Sequence, residues 1–261
     1  MDAVICSDDK MLQVSDLLIA HGGRSDWKDT NDSWGIEGFE GRDLPKDIAN
    51  LFLLRCLIDY QCVSVDAWKR GLAYFNPLSK EHKNELWQMI ADKTLEDWTS
   101  EDNFKKCNLH RWRRAHNRLW PIAKCICMFF DGDARNIWKS STPFDVLCRL
   151  YYIGAGEQLS RMIVGALKDC GQITGRGDVK ADVHVCRVLG RVFEGKEATP
   201  VFALKMAREL KPDDPWQLDR SLWNLGQTKC DSITPRCSDC FLVKYCKYAQ
   251  EHPSGAKAQH S

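Results

Sequence analysis

Apolar side chains along this chain recur at helical spacing rather than in alternation. Leu51, Leu54, Leu57 and Ile58 fall at i, i+3, i+6 and i+7, one face of a helix that begins after Pro45. A second helix is predicted over Val65 to Tyr74, stopped by Asn76-Pro77. Phe144, Leu147, Cys148 and Tyr151 form another stripe, and Leu159, Met162, Ile163, Ala166 and Leu167 repeat the pattern. Between these two lies Ile153-Gly154-Ala155-Gly156, a linker short enough only for a tight hairpin of helices. Asp182 precedes the stripe Val185, Val188, Leu189 and Val192 as an N-cap. Thr199-Pro200 and Asp214-Pro215 each read as an N-cap followed by proline in the first turn. Residues 1–45 are polar and broken by glycines, with one short helix near 10–20. Residues 78–104 carry Trp87, Leu95 and Trp98 in a polar background and read as helix, while Trp112 and Trp120 read as core. No run alternates as a strand would. The predicted fold class is all-α.

Composition changes this picture little. Of 261 residues, 44% are hydrophobic and 28% charged, which suits a folded chain with a proper core. The balance of 37 basic against 36 acidic residues excludes a polycationic nucleic-acid binder but leaves room for one local basic face. Such a face is available. No acid occurs from Lys105 to Arg118, a segment that includes Arg111, Arg113 and Arg114. It reads either as a solvated helix face or as a set of phosphate contacts.

The thirteen cysteines are an odd number, and many lie in apolar stretches (Cys56, Cys125, Cys127, Cys148, Cys186), which points to a reducing, intracellular compartment. The start, Met1-Asp2-Ala3-Val4, has no basic region ahead of its apolar residues, so no signal peptide is expected. The longest apolar runs, such as Cys125 to Phe130, fall far short of the ~20 residues of a membrane helix, so a soluble protein without membrane association is expected.

The last four cysteines carry chemistry. Cys230, Cys237, Cys240 and Cys246 are spaced C-x6-C-x2-C-x5-C, with Pro235 in the first loop. Four thiolates this close can surround one metal centre, and soft ligands suit zinc or an iron–sulfur cluster. Zinc sites usually show two matched short pairs, and only one C-x2-C is present.

This spacing resembles the 4Fe–4S loop of the endonuclease III-like helix-hairpin-helix DNA glycosylases (the HhH-GPD superfamily). Four further stretches support the resemblance. Trp216 to Cys230 is similar to that family's helix leading into the cluster. Asp182-Val183-His184-Val185-Cys186-Arg187-Val188 resembles D-T-H-I-x-R-V, whose first residue is the catalytic aspartate. Ile153 to Gln158 looks like the hairpin L-P-G-V-G-R-K, and Leu57 to Val65 is similar to L-L-S-A-Q-A-T-D-x. The order matches over roughly residues 46–250.

The resemblance implies two helical lobes. One, over residues 46–170, is a six-helix barrel with the helix-hairpin-helix at 144–169. The other, over 171–250, holds the catalytic aspartate and a 4Fe–4S cluster on Cys230, Cys237, Cys240 and Cys246. Residues 1–45 become an extension packed on the cluster lobe, and 251–261 a flexible tail. The implied partner is double-stranded DNA, bound by a monomer in the cytoplasm, nucleoid or nucleus.

Departures from the family pattern carry the mechanistic content. Bifunctional members place in the hairpin a lysine that forms a Schiff base with the sugar, and here that position is Gln158. The expectation is therefore a monofunctional glycosylase of base excision repair without lysine-dependent lyase activity. Asp182 would orient or deprotonate the attacking water and stabilise the oxocarbenium-like sugar. The Gly154 and Gly156 amides would bind a phosphate at a helix N-terminus. Ile153 replaces the family's proline and Glu157 its basic residue, and both weaken that anchor. Gln61 matches the residue that fills the gap left by a flipped base. His184 is expected to be structural.

Because the chain continues only to Ser261, the extra recognition domain of the adenine-specific branch is not expected. Damaged or mispaired pyrimidines, or alkylated bases, are the expected substrates. The rival readings are a catalytically silent iron–sulfur DNA-binding protein that recognises altered DNA structure, and a lyase using another lysine such as Lys168 or Lys180.

Overall fold

Residues 8–22, 35–36, 38–59 and 64–253 are described by a computed structural model, in which no strand occurs among the described residues. The all-α fold is the one the periodicity predicts. The described residues form two compact units, one of residues 35–175 and the other of residues 8–22 with 176–253. No helix among the described residues is long and apolar enough to cross a membrane.

The first unit is organised around the helix Lys46–Ile58. Phe52, Leu53, Leu54, Cys56, Leu57 and Ile58 are all buried, so the helix is covered on every side rather than along the single stripe the spacing suggested. Asn50 on this helix is fully buried and satisfied. Its amide nitrogen donates to the carbonyls of Lys83 and Asn84, and its oxygen accepts from Trp87 Nε1 and the Ala134 amide. One polar side chain thus ties three neighbouring segments to the core, which a buried amide must do to offset its desolvation.

Downstream, the helix Glu101–Cys107 is capped by Ser100 and ends in left-handed Asn108 (φ 46°). The basic stretch that follows is anchored from inside. His116 stacks on fully buried Trp98 with ring centroids 4.3 Å apart, and Trp98 Nε1 donates to the His116 carbonyl. Trp112 does not join this core. It is 52% exposed, whereas partly buried Trp120 packs on the core and donates to the Lys93 carbonyl.

The two hairpin helices are Pro143–Tyr152 and Glu157–Asp169. The first starts in a reciprocal cap: the Asp145 amide donates to Thr142 Oγ1, and the Thr142 amide donates to the Asp145 carboxylate. Its buried face is Val146 and Leu150, continued by Ile153, while Phe144 is 71% exposed and Cys148 and Tyr151 are also exposed. Of the predicted stripe, Phe144, Cys148 and Tyr151 therefore face solvent, while Leu147 is partly buried and packs on the core. Both faces of this helix carry apolar residues at helical spacing, and periodicity alone does not say which of them meets the core. On the second helix the predicted Leu159, Met162, Ile163, Ala166 and Leu167 are all buried.

In the second unit, Val183–Glu194 packs against Pro200–Leu210, Asp219–Thr228 and Lys247–Glu251, and Asp8–Gly22 packs on Pro200–Leu210 and Asp219–Thr228. Ser221 Oγ donates to the Leu18 carbonyl, tying the first helix to the unit. Thr199 caps its helix as expected. Asp214 precedes Pro215 but makes no side-chain cap there; its carboxylate instead accepts from the Gly177 amide, pinning the strap that leads to Asp182.

Candidate functional site

Asp182 sits at the N-cap of Val183–Glu194. Its Oδ1 accepts from the amides of His184 (2.9 Å) and Val185 (3.1 Å), and Oδ2 takes no hydrogen bond among the described residues. The strap before it is fastened at two points. Asp214 accepts from the Gly177 amide, and nearly buried Asp219 accepts from the Lys180 amide at 2.6 Å. The aspartate is therefore partly exposed on a rigid backbone.

His184, the second residue of the helix, is partly buried. Arg187 Nη2 lies 3.1 Å from its Nδ1, and its ring meets Trp223 edge-on. The helix Asp219–Thr228 approaches so closely here that a Cβ on Gly226 would stand 2.6 Å from the His184 Cβ. The structural role expected of His184 fits this packing.

The cysteine loop belongs to the same unit. Cys230, Cys237 and Cys240 are partly buried against its core, Cys246 is buried within it, and all four are free thiols. Among the described residues no three His, Cys, Asp or Glu side chains are gathered tightly enough to hold a single metal ion. Three of the four thiols are held up from their ordinary range. Burial pushes the Cys246 thiol up to about 11, and Cys230, Cys240 and Cys237 add to the rise against a hydrogen bond from the Ala249 amide. Cys240 is raised by burial and by Cys230 and Cys237; Cys237 is raised by burial and by Cys230, opposed by Arg191.

Two arginines that sequence reasoning passed over hold this loop. Arg187 donates to the carbonyls of Cys230 (2.7 Å) and Gly226 (3.0 Å). Arg191, one turn on and 4% exposed, donates to the carbonyls of Asp231 and Ser232 and lies 3.5 Å from Cys230 Sγ. Little in the sequence pointed to this, because Arg187 and Arg191 share their helix face with His184 and Glu194 and read as a polar face, whereas both are buried and take backbone acceptors.

In the other unit, the hairpin turn has Gly154 at φ +89° and Gly156 at φ +84°, where only glycine is unstrained. The Gly154 amide donates to the Tyr151 carbonyl and the Ala155 amide to the Leu150 carbonyl, closing the first helix. Gly154 is thus already committed. The Gly156 amide takes no part in closing that helix, and Glu157 and exposed Gln158 follow it at the start of the next. Glu157 pairs with Arg161 at 2.8 Å.

The basic segment is less uniformly free than its sequence suggests. Arg113 pairs with Glu101 at 3.0 Å and donates to the Thr99 carbonyl, and Lys105 pairs with the same glutamate. Arg111 lies over the Trp112 ring, 5.3 Å from its centroid, and Arg114 is exposed. Gln61 lies outside the described residues, as do residues 254–261 of the expected tail.

No protein-family model matches the chain, and no curated protein does. Solved structures do. A trapped endonuclease III–DNA covalent intermediate (estranged-adenine complex) aligns with a TM-score of 0.62 at 13% identity, over 95% of this chain and 100% of that one. A non-covalent endonuclease III–DNA complex aligns with a TM-score of 0.63 at 13% identity, over 95% and 99%. A thermostable thymine-DNA glycosylase gives 0.61 at 14% identity, over 94% and 99%. Over nearly its whole length, this chain has the all-α fold of the endonuclease III and thymine-DNA glycosylase structures.

Proposed function

We propose that this chain is a monofunctional DNA glycosylase of base excision repair. It binds double-stranded DNA as an intracellular monomer, flips out a damaged or mismatched base and hydrolyses its N-glycosidic bond. The observation that carries the reading is Asp182, whose Oδ1 is locked by two amides while Oδ2 remains available to a water or to the sugar. A carboxylate held this way orients or deprotonates the attacking water and stabilises positive charge on the sugar as the base leaves. Its backbone, fastened through Asp214 and Asp219, is preorganised for that task.

Gln158 supplies an amide at the hairpin position, and an amide does not form a Schiff base, so strand cleavage by that route is absent. DNA contact would come from the amides that start at Gly156 and from Arg111, Arg113 and Arg114, with Gln61 filling the space of the flipped base. Gly154 drops out as an amide donor, since its N–H closes the first helix.

Cys230, Cys237, Cys240 and Cys246 would hold a 4Fe–4S cluster. The donor set fits: four free thiols on one loop tied by Arg187 and Arg191. When bound, the cluster would cross-link this loop.

The test is single-turnover base release from a panel of lesion and mismatch duplexes, read with and without hot alkali, for wild type and Asp182→Asn. Strand breaks that need alkali and vanish in the variant support the proposal. Breaks without alkali overturn the reading of Gln158, and borohydride trapping in Lys168→Ala and Lys180→Ala then locates the lysine. Duplex binding without release from any substrate favours the silent DNA-binding protein.

A further inference from the structure

Resting on the DNA-binding reading above, we propose that Arg118 is the positioning residue of the hairpin, aiming the Gly156 amide from behind the turn. Arg118 Nη2 donates to the carbonyls of Gly154 (3.0 Å) and Ala155 (2.5 Å), 36 and 37 residues away in sequence. A trans peptide is planar, so its C=O and N–H point in opposite directions. Holding the Ala155 carbonyl therefore also sets the direction of the Gly156 N–H, the first amide not used to close the preceding helix. A charged donor on the carbonyl side further polarises the same peptide, making its N–H a better donor to an anion. The guanidinium acts through the peptide plane, from the side opposite the bound phosphate.

This arrangement answers the two departures of the hairpin sequence. Ile153 lacks the rigidity of proline, and the Arg118 clasp restrains the turn in its place. Glu157 brings negative charge to the anion-binding end. Its carboxylate is paired at 2.8 Å with Arg161, whose side chain is 9% exposed and which also donates to the Tyr151 hydroxyl at 2.7 Å.

The experiment is duplex binding by the full-length protein as a function of salt, using a fully paired duplex of about 20 base pairs. Arg118→Ala is expected to weaken binding about tenfold while leaving the salt slope at its wild-type value, because no phosphate contact is removed. Arg114→Ala, the direct-contact control, lowers the slope by about one. Arg118→Lys restores most of the affinity, since an ammonium can donate to both carbonyls. Arg118→Met, which keeps the apolar stem, replaces the alanine variant if that variant does not fold.

Wild-type affinity in Arg118→Ala overturns the proposal. So does a slope that falls as in Arg114→Ala, or a folded Arg118→Lys that binds no better than alanine. If the wild type shows no salt-dependent duplex binding, the DNA reading itself fails, and the inference with it.

Discussion

Gly226→Ala sets two opposing effects against each other, and the structure decides the sign. In a helix interior alanine is more favourable than glycine by about 1 kcal/mol, so at an open position the change would stabilise. Gly226 is not open. Its added Cβ would lie 2.6 Å from His184 Cβ and 3.0 Å from His184 Cα, both held directly on backbone. Reaching normal carbon–carbon contact needs a shift of about 1 Å between the helices Asp219–Thr228 and Val183–Glu194. Overpacking of this kind costs about 1–3 kcal/mol. The shift also strains the 3.0 Å bond from Arg187 to the Gly226 carbonyl, of a charge-assisted class worth about 1.5–3 kcal/mol.

The clash therefore wins, and a net loss of roughly 2–3 kcal/mol is expected. It should appear in urea denaturation as a lower midpoint with an unchanged slope. Because His184 donates its amide to Asp182, base release falls as well. A variant as stable as wild type, or more so, would refute the reasoning by showing that the helices separate freely and propensity governs.

Asp182→Asn keeps an oxygen for both capping amides, so its stability should stay within about 0.5 kcal/mol of wild type while base release drops at least about 100-fold. Asp182→Ala should lose the same activity and about 1 kcal/mol of stability besides; comparable unfolding midpoints for the two variants would contradict the cap. Trp98→Ala, at a fully buried ring that also donates to the His116 carbonyl, should cost about 3–5 kcal/mol, whereas Trp112→Ala should cost under about 1 kcal/mol, as thermal melts would report. Burial holds the His116 imidazole below its ordinary 6.5, outweighing the hydrogen bond to the Trp98 carbonyl that favours the charged form, with Arg113 adding to the depression. The unfolded chain then binds more protons in that window, so the contribution of His116 is complete above about pH 6.5 and is lost as pH falls toward the depressed value. His116→Gln should flatten that acid limb of the stability profile; an unchanged limb would assign it to other groups.

Features set within a few residues were legible in the sequence. The spans of Lys46–Ile58, Ser64–Phe75 and the two hairpin helices, the four-residue hairpin linker, the Asp182 cap and the Thr199 cap all depend on neighbours two to four positions away, and they stand where spacing put them. The hydrophobic positions of Glu157–Asp169 were equally readable, because that helix has only one apolar face. Pro143–Tyr152 has two, and three of the four predicted positions, Phe144, Cys148 and Tyr151, fall on the exposed one. Gln61, on which the base-flipping proposal leans, lies outside the described residues.

By itself, the sequence determined that the chain is all-α, where helices such as Lys46–Ile58, Ser64–Phe75 and Glu157–Asp169 lie, and which residue types stand in the hairpin, at Asp182 and in the cysteine loop. The stretch 78–104, read as helix, is instead broken into Lys80–Asn84, Leu86–Ala91, Leu95–Thr99 and Glu101–Cys107. Tertiary structure alone decided which of those residues were already engaged. It spent the Gly154 amide on closing a helix, paired Arg113 with Glu101, turned Asp214 from a cap into a fastener for Gly177, and brought Arg118 to a turn 36 residues away. The physical reason is range. Backbone dihedrals and caps respond to the nearest few residues, whereas the partner of a long charged side chain is set by how separate helices pack, and spacing along the chain does not encode that packing.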